Sequence, residues 1–273
     1  MKKHSVLKAA ALAAAAYTVS LRGRTKHPDL EILRRYRFAH RGYHDKPVVP
    51  ENSLPAFRRA IEHGWGAELD VHLMKDGTLA VIHDSSLLRT AGADVQIEDL
   101  TREELENYRL EGTDERIPLF DEVLALFENT TPLIIELKAA NGNHFALSKA
   151  VCERLDSYKG VFCIESFDPM VVADVRELRP GICRGQLAEN FLKGKGTLDP
   201  VRSVLATGLI GNALAKPDFI AFKFEDRSCI SNALCLKLWG IQGVAWTIRS
   251  KHDLLTAEAE GLIPIFEKFD PEA

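Results

Sequence analysis

The sequence predicts an α/β fold, a (β/α)8 barrel of the TIM type with an antiparallel hairpin and an insertion after its second strand. Nine short runs of β-forming residues lie between residues 37 and 266, and helix-length segments separate most of them. Such alternation is typical of a parallel sheet covered by helices. One strand pair breaks the alternation, and without its second member eight strands remain. Eight parallel strands in a chain of 273 residues fit one barrel domain.

The elements follow in order along the chain. The predicted strands are 37–41, 67–73, 78–83, 133–138, 161–166, 182–187, 219–224, 243–248 and 262–266. Helices are predicted at 52–63, 101–108, 119–128 and 250–260. Thr101 and Glu104 have the spacing of a capping box, and Ser250 stands where the last helix begins.

The link between the second and third strands is a tight turn. It consists of residues 74–77 and ends in Asp76-Gly77, a strong hairpin signal. A parallel crossover needs a dozen or more residues, so the third strand must run antiparallel to the second and lie outside the barrel. Residues 85–131 then form an insertion in a barrel domain that spans residues 36–270.

Residues 1–24 differ in composition from the barrel. The run 9–21 is mostly alanine, and Lys or Arg residues flank it on both sides. It is shorter than the roughly 20 apolar residues of a membrane span, and the basic residues after it do not favour an exported signal peptide. Two interpretations stay open: a cytoplasmic protein with a helical appendage, or a protein anchored to the cell membrane through residues 5–21.

The overall charge and the cysteines exclude some classes of function. Thirty-five Lys and Arg residues stand against 39 Asp and Glu, for a formal charge of −4, so no nucleic-acid partner is expected. Five widely spaced cysteines without a CxxC pair indicate neither a disulfide framework nor a zinc site.

Charged residues stand at the carboxyl ends of several predicted strands, where a plain core strand would be apolar. They are His40 and Arg41 on the first strand, Glu68 and Asp70 on the second, His83 on the third, and Glu136 and Lys138 on the fourth. Residues two apart on a strand share a face, and active sites of this barrel form at the carboxyl ends of the strands. We therefore expect these side chains to meet at one mouth.

The acidic members of this set predict a metal site. Glu68, Asp70 and Glu136 would repel one another in a shared mouth, and a bound cation would remove that cost. Carboxylate oxygens without nearby thiolates favour Ca²⁺ or Mg²⁺, so one divalent cation is the predicted cofactor. Histidines that transfer protons and an arginine that binds phosphate complete a set suited to phosphate-ester chemistry.

Each signal has a structural alternative when it is taken alone. Glu68 and Asp70 fit an exposed sheet face, and either histidine fits a buried structural role. Lys138 can extend its amine to water, and Glu51 can simply precede a helix that Asn52 caps. The convergence of several such residues on one barrel mouth favours a functional site.

A set of short motifs resembles the glycerophosphodiester phosphodiesterase family. In chain order they are Ala39-His40-Arg41-Gly42, Pro50-Glu51-Asn52-Ser53, Glu68-Leu69-Asp70-Val71, Lys75-Asp76-Gly77, Ile82-His83-Asp84, Ile135-Glu136-Leu137-Lys138, Ser166-Phe167-Asp168-Pro169 and Ala245-Trp246-Thr247. They cover most of the barrel and follow the order of the family. The last strand departs from the family pattern, because Gly261-Leu262-Ile263-Pro264-Ile265-Phe266-Glu267 stands where many members have Gly-Val-Asp-Gly-Ile followed by Asp.

The resemblance implies hydrolysis of glycerophosphodiesters to glycerol 3-phosphate and an alcohol. It implies that His40 and His83 are the general acid and base, and that Glu68, Asp70 and Glu136 bind Ca²⁺ or Mg²⁺. It implies a substrate-binding set in which Arg41 contacts the phosphate, Lys138 adds positive charge, Trp246 lines the glycerol or head-group side, and Glu51 orients the His40-Arg41 end.

Alternatives of two kinds stay open at this point. One is a related barrel phosphodiesterase that acts on lysophospholipid or sphingomyelin, for which membrane contact through the N-terminal segment would be useful. The other is a barrel that binds a phosphodiester without turnover. Three further residues, His72, Gln186 and Lys223, lie on predicted strands in positions from which they can approach the mouth.

Overall fold

The computed structural model describes residues 2–193 and 198–273, and over this part of the chain eight parallel strands close into a barrel. The strands are β1 (Phe38–Ala39), β2 (Gly66–Leu73), β3 (Leu79–Val81), β4 (Leu133–Leu137), β5 (Phe162–Ser166), β6 (Arg184–Ala188), β7 (Phe219–Lys223), β8 (Gln242–Ile248) and β9 (Ile263–Phe266). Pairing of β1 with both β2 and β9 closes the ring, and β3 stands outside it. The predicted fold class is confirmed.

The hairpin of β2 and β3 has the predicted geometry. Val71 pairs with Val81 and Leu73 with Leu79 in antiparallel register. The Met74 N–H donates to the Thr78 carbonyl at 2.8 Å across the turn. This hairpin brings the segment after β3, which carries His83, back beside the carboxyl end of β2.

Helices cover the outside of the barrel. They are α1 (Lys2–Ser20), α2 (Pro28–Leu33), α3 (Leu54–Glu62), α4 (Leu88–Ala91), α5 (Arg102–Leu105), α6 (Phe120–Phe127), α7 (His144–Leu155), α8 (Pro169–Leu178), α9 (Pro200–Thr207), α10 (Asn212–Ala215), α11 (Ile230–Ala233) and α12 (Lys251–Ala259). Single 3-10 turns lie at Ile97–Asp99 and Phe224–Asp226, and a π-helical turn lies at Leu234–Leu238.

The helix starts follow the capping signals with one exception. Thr101 and Glu104 form the predicted capping box at α5, and the Ser250 hydroxyl accepts from the Asp253 N–H at the start of α12. At α3 the cap is Ser53, whose hydroxyl accepts from the Ala56 N–H, rather than Asn52. The Asn52 side chain therefore does not cap the helix and can form a hydrogen bond elsewhere.

Alternation along the strands separates the core into two faces. Ala67, Leu69 and Val71 of β2 pack outward in the layer between barrel and helices, so Glu68 and Asp70 point inward. The floor of the barrel is an apolar cluster that includes Phe38, Ile134, Cys163, Cys183, Val244 and Ile263. The inward residues are therefore apolar near the amino ends of the strands and polar near the carboxyl ends.

The N-terminal helix α1 contacts the barrel through its last turns. Tyr17 donates its hydroxyl to the Gly208 carbonyl at 3.1 Å, the Trp239 indole N–H donates to the Thr18 carbonyl at 2.7 Å, and Leu21 is fully buried. Residues 5–16 are exposed. No helix in the described part of the chain is both long enough and apolar enough to cross a bilayer.

Candidate active site

A cavity of about 350 Å³ opens at the carboxyl ends of the strands. Its lining contains seven of the nine residues predicted for the site: His40, Arg41, Glu68, His83, Glu136, Lys138 and Trp246. The other two, Glu51 and Asp70, are buried directly behind this lining. Barrel closure thus brings side chains from four strands and the β3 hairpin to one place.

Strand register places three carboxylates in a row. Asp70 of β2 pairs with Glu136 of β4, and Glu136 pairs with Glu165 of β5. Glu68 stands two residues before Asp70 on the same face. One carboxylate oxygen from each of Glu68, Asp70 and Glu136 lies within 4.8 Å of the others, a spacing that suits a shared metal ion.

Fixed hydrogen-bond donors hold this row in place. Lys138 Nζ lies 3.0 Å from Asp70 Oδ1 and 2.8 Å from Glu136 Oε1. The Asn52 amide donates to Asp70 Oδ2 at 2.8 Å. Asn52 adopts a left-handed backbone conformation at φ 53°, which turns its side chain from the helix cap toward the acidic row.

The charges of the row are only partly compensated in the described residues. Burial, reinforced by the neighbouring carboxylates, raises the pKa of Glu68 far above its usual value, and burial also raises the pKa of Glu165. Burial raises the pKa of Glu136 to about 7 against the attraction of Lys138. Burial opposes ionisation of Asp70 too, but Lys138 outweighs it and lowers that pKa. A divalent cation fits this donor set, because it offsets the excess negative charge with oxygen ligands.

The turn after β1 aims Arg41 into the site. Arg41 and Gly42 both have positive φ, 55° and 76°. A Cβ on Gly42 would lie 2.9 Å from Ala56 atoms, so only glycine fits here. The strained turn directs the Arg41 N–H to Glu68 Oε2 at 2.9 Å. Strain of this kind, about 1–3 kcal/mol, is typical of functional turns.

Glu51 holds the guanidinium of Arg41 from behind. Its Oε1 accepts from Arg41 at 2.8 Å and from Arg89 at 2.6 Å, and Lys46 pairs with its other oxygen. Burial opposes ionisation of Glu51, but these three cations outweigh it and hold its pKa well below the usual range. Glu51 thus holds the Arg41 guanidinium in place, and the orienting role that the resemblance implies for it stays a prediction.

The two histidines are each anchored through Nδ1. His40 Nδ1 lies 2.8 Å from Glu267 Oε2, and His83 Nδ1 lies 2.6 Å from Asp84 Oδ1. Burial lowers the pKa of His40 to about 4, although Glu267 opposes this shift. Burial also lowers the pKa of His83. In both rings Nε2 is the nitrogen left for a ligand in the cavity.

The opposite side of the cavity is aromatic. The Trp246 ring packs edge-on against Phe167 with centroids 5.7 Å apart, and Lys223 Nζ stands 5.9 Å from the Trp246 centroid. The Trp246 indole N–H is buried and has no hydrogen-bond partner among the described residues, so it can donate to a bound molecule. Lys223 reaches the mouth as expected and lies 3.4 Å from Glu189 Oε2.

Two of the lesser candidates lie elsewhere. The Gln186 amide donates to the carbonyls of Ser166 and Phe167, which keeps it in the barrel wall. His72 Nδ1 lies 2.6 Å from Glu98 in the insertion, and its Nε2 lies 3.2 Å from the His83 carbonyl. His72 therefore supports the segment that carries His83 rather than facing the cavity.

Sequence reasoning missed two residues of the site. Glu165 lines the cavity from β5. It stands two residues after Cys163, which faces the barrel interior, so the available signal was an acidic residue at an inward-facing position of a largely apolar strand. Glu267 directly follows β9, and its role depends on β9 lying beside β1, which places it against His40. An acidic residue just after the last barrel strand was the available signal.

Fold and site together define a closed (β/α)8 barrel whose mouth combines an acidic cluster with two histidines. The model of the glycerophosphoryl diester phosphodiesterase family matches residues 40–266. The match covers most of the chain, and the chain belongs to this family.

Individual relatives agree with this assignment. A glycerophosphodiester phosphodiesterase of Caldanaerobacter subterraneus subsp. tengcongensis is 37% identical over 161 residues, which cover 55% of this chain and 65% of that protein. Human lysophospholipase D GDPD1 is 38% identical over 121 residues, 40% of this chain and 37% of that protein. The chain thus matches less than two thirds of the length of either relative. A solved structure of an Oleispira antarctica phosphodiesterase, in complex with the product sn-glycerol-3-phosphate, has the same fold. Its TM-score is 0.67 at 23% sequence identity, and the match covers 85% of this chain and 92% of that one.

Proposed function

We propose that this protein hydrolyses glycerophosphodiesters to glycerol 3-phosphate and an alcohol, with one divalent cation, Ca²⁺ or Mg²⁺, held by Glu68, Asp70 and Glu136. The observation that carries the proposal is the meeting of this acidic cluster with two histidines at one barrel mouth. Membership of the family and the product complex of the Oleispira antarctica protein support it.

The charged side chains bind the phosphate. When bound, the cation would act as a Lewis acid toward a phosphate oxygen. Arg41, fixed by Glu51, presents a planar guanidinium that can donate two parallel hydrogen bonds to the phosphate. Lys138 adds a positive charge beside the acidic row, where charge develops on the phosphorus oxygens.

The histidines move the protons. His40 accepts a proton from the attacking hydroxyl, because burial keeps its imidazole neutral near pH 7. Attack by water breaks the bond from phosphorus to the leaving alcohol and gives glycerol 3-phosphate directly. Attack by the 2-hydroxyl of the glycerol unit breaks the same bond but gives a cyclic phosphate, which water must then open to glycerol 3-phosphate. Glu267 bonds Nδ1 of the His40 ring and fixes Nε2 toward the cavity. His83 donates a proton to the leaving alcohol from its protonated ring, which Asp70 and the Asp84 carboxylate stabilise against the pKa-lowering effect of burial.

Detection of glycerol 3-phosphate with a coupled enzyme tests the proposal. Glycerophosphocholine, glycerophosphoethanolamine and glycerophosphoinositol are offered to the full chain with Mg²⁺, with Ca²⁺ and with EDTA. We expect release that depends on a divalent cation. A folded protein that binds these diesters without turnover under every condition would instead be a binding barrel, and the hydrolase proposal would fail.

A monoacyl glycerophosphodiester is a second candidate substrate. The name of the human relative supports it, and so does the apolar surface of α1, where Val6, Leu7 and Leu12 are exposed and available for membrane contact. The same panel with lysophosphatidylcholine added, and with release of choline as the readout, tests this candidate.

A further inference from the structure

An apolar groove of about 680 Å³ adjoins the candidate active site. It runs between residues 167–169 after β5 and residues 186–191 at the end of β6 on one side, and α9 with the turn after it on the other. Its apolar walls include Phe167, Leu187, Phe191, Leu205, Leu209 and Ile210. A volume of this size is typical of pockets that bind small molecules.

The groove is continuous with the catalytic cavity. Phe167, Leu187 and Glu189 line both spaces. Trp246 packs edge-on against Phe167 at 5.7 Å, and Phe167 packs edge-on against Phe191 at 6.1 Å. These three rings form a continuous apolar wall that leads from the active-site mouth into the groove.

The chemistry of the groove favours an uncharged, flexible occupant. Leu205 is 47% exposed and Ile210 37% exposed, so burial of this surface by a ligand would be favourable. The charged groups of the lining are Asp168, Glu189 and Arg202, and Arg202 is already paired with Asp199. Glu189 is likewise paired, with Lys223 at 3.4 Å, so the described lining residues offer no unpaired cation to a second phosphate, whereas a hydrocarbon chain needs no charged partner.

We propose that this groove binds the acyl chain of a monoacyl glycerophosphodiester, a lysophospholipid. The inference rests on the proposed diesterase function, and it assigns a site to the lipid part of the substrate. With the phosphate at Arg41 and Lys138 and the glycerol beside Trp246, an acyl chain esterified to the glycerol would leave the cavity along Phe167. The groove then sets specificity and takes no part in the chemical step.

Binding and turnover are measured separately on the full chain. Calorimetry compares the affinity for glycerol 3-phosphate with that for 1-acyl-glycerol 3-phosphates whose acyl chains have 6, 8 and 12 carbons. Ligand concentrations stay in the ~ micromolar range, below micelle formation. Each methylene buried in the groove is expected to raise the affinity by up to about fourfold. Choline release from the matching choline diesters gives kcat/KM. We expect affinity and kcat/KM both to rise with chain length.

Two neighbouring residues of α9 offer a matched pair of variants. Leu205 lines the groove, and Val204 is similarly exposed, at 57%, but does not line it. We expect Leu205→Gln to flatten the dependence on chain length while glycerophosphocholine turnover stays within about twofold, and Val204→Gln to behave like the native protein. Thermal unfolding of both variants checks the fold.

The outcomes separate the groove from the diesterase. If glycerophosphocholine is hydrolysed but chain length affects neither affinity nor kcat/KM, the proposal that the groove binds an acyl chain is overturned and the diesterase function stays in place. If affinity rises with chain length, and Leu205→Gln but not Val204→Gln removes this rise, the acyl-chain site is supported. This holds even if no diester is turned over, in which case the proposed diesterase function fails. Equal effects of both variants also overturn the groove.

Discussion

The two sides of the barrel mouth are built on different principles. On the side of β1, β2 and β4, each charged group is tied to a charged neighbour, as Lys138 is to Asp70 and Arg41 is to Glu51. On the side of β6, β8 and the segment after β5, aromatic rings and exposed apolar side chains such as Leu205 dominate. In the function proposed above, the charged side would hold the phosphate and carry out the chemistry, whereas the apolar side would select the group attached to it.

The largest effect is expected from the acidic row. Asp70→Asn removes one of the proposed carboxylate ligands. Glycerol 3-phosphate release should therefore fall by more than the roughly 10–100-fold that loss of an outer partner of a metal ligand costs. Glu165→Gln is the control on the same row, one strand further along. We expect Glu165→Gln to keep glycerol 3-phosphate release within about tenfold of the native rate, the lower end of the effect of an outer partner. Equal losses in both variants would contradict the assignment of the ligands.

The next largest effect is expected from the histidines. His40→Ala and His83→Ala should each lower kcat by about 10²–10⁴-fold, the usual contribution of a general acid or base. His144→Ala is the matched control, since His144 pairs with Asp174 on the outer helices. Turnover near the native rate in either site variant would remove that residue from the proton transfers.

A smaller effect is expected from Glu267. Glu267→Gln replaces a charge-assisted hydrogen bond, so kcat should fall roughly 10–100-fold with little change in KM. Because the Glu267 carboxylate favours the protonated form of His40, its removal should lower the pKa of His40 below about 4. The acidic limb of the kcat/KM profile should then move to lower pH. A limb that moves to higher pH would contradict the positioning role.

The smallest effect is expected on the apolar side. Phe167→Ala removes the ring between Trp246 and Phe191, and an aromatic pair of this kind is worth roughly 2- to 10-fold. We expect KM to rise by this factor for acylated diesters and to change very little for glycerophosphocholine. A fall in kcat for both substrates would show that Phe167 acts on the charged side as well.

The sequence predicts the charged side of the mouth well because its signals are local. Glu68 and Asp70 share a face through the two-residue period of a strand, and the turn at Asp76-Gly77 predicts the hairpin that returns toward His83. The strand pattern then suffices to predict the barrel, and the barrel predicts a common mouth.

The remaining features depend on contacts between distant segments. Glu267 meets His40 across 227 residues of sequence because β9 closes against β1. The groove is assembled from Phe167, which follows β5, and from Phe191 and α9, which both lie in the connection between β6 and β7. Neither the Glu267–His40 contact nor the groove produces a periodic pattern in the sequence, so both become visible only in the folded barrel.

The most direct test of the account is calorimetric titration of Mg²⁺ and of Ca²⁺ into the EDTA-treated and dialysed protein. The account predicts one ion per chain for at least one of these metals, with binding abolished in Asp70→Asn and in Glu136→Gln. Glycerol 3-phosphate release should return in parallel with occupancy. Full release in EDTA, or unchanged binding in both variants, would contradict the claim that Glu68, Asp70 and Glu136 form the metal site.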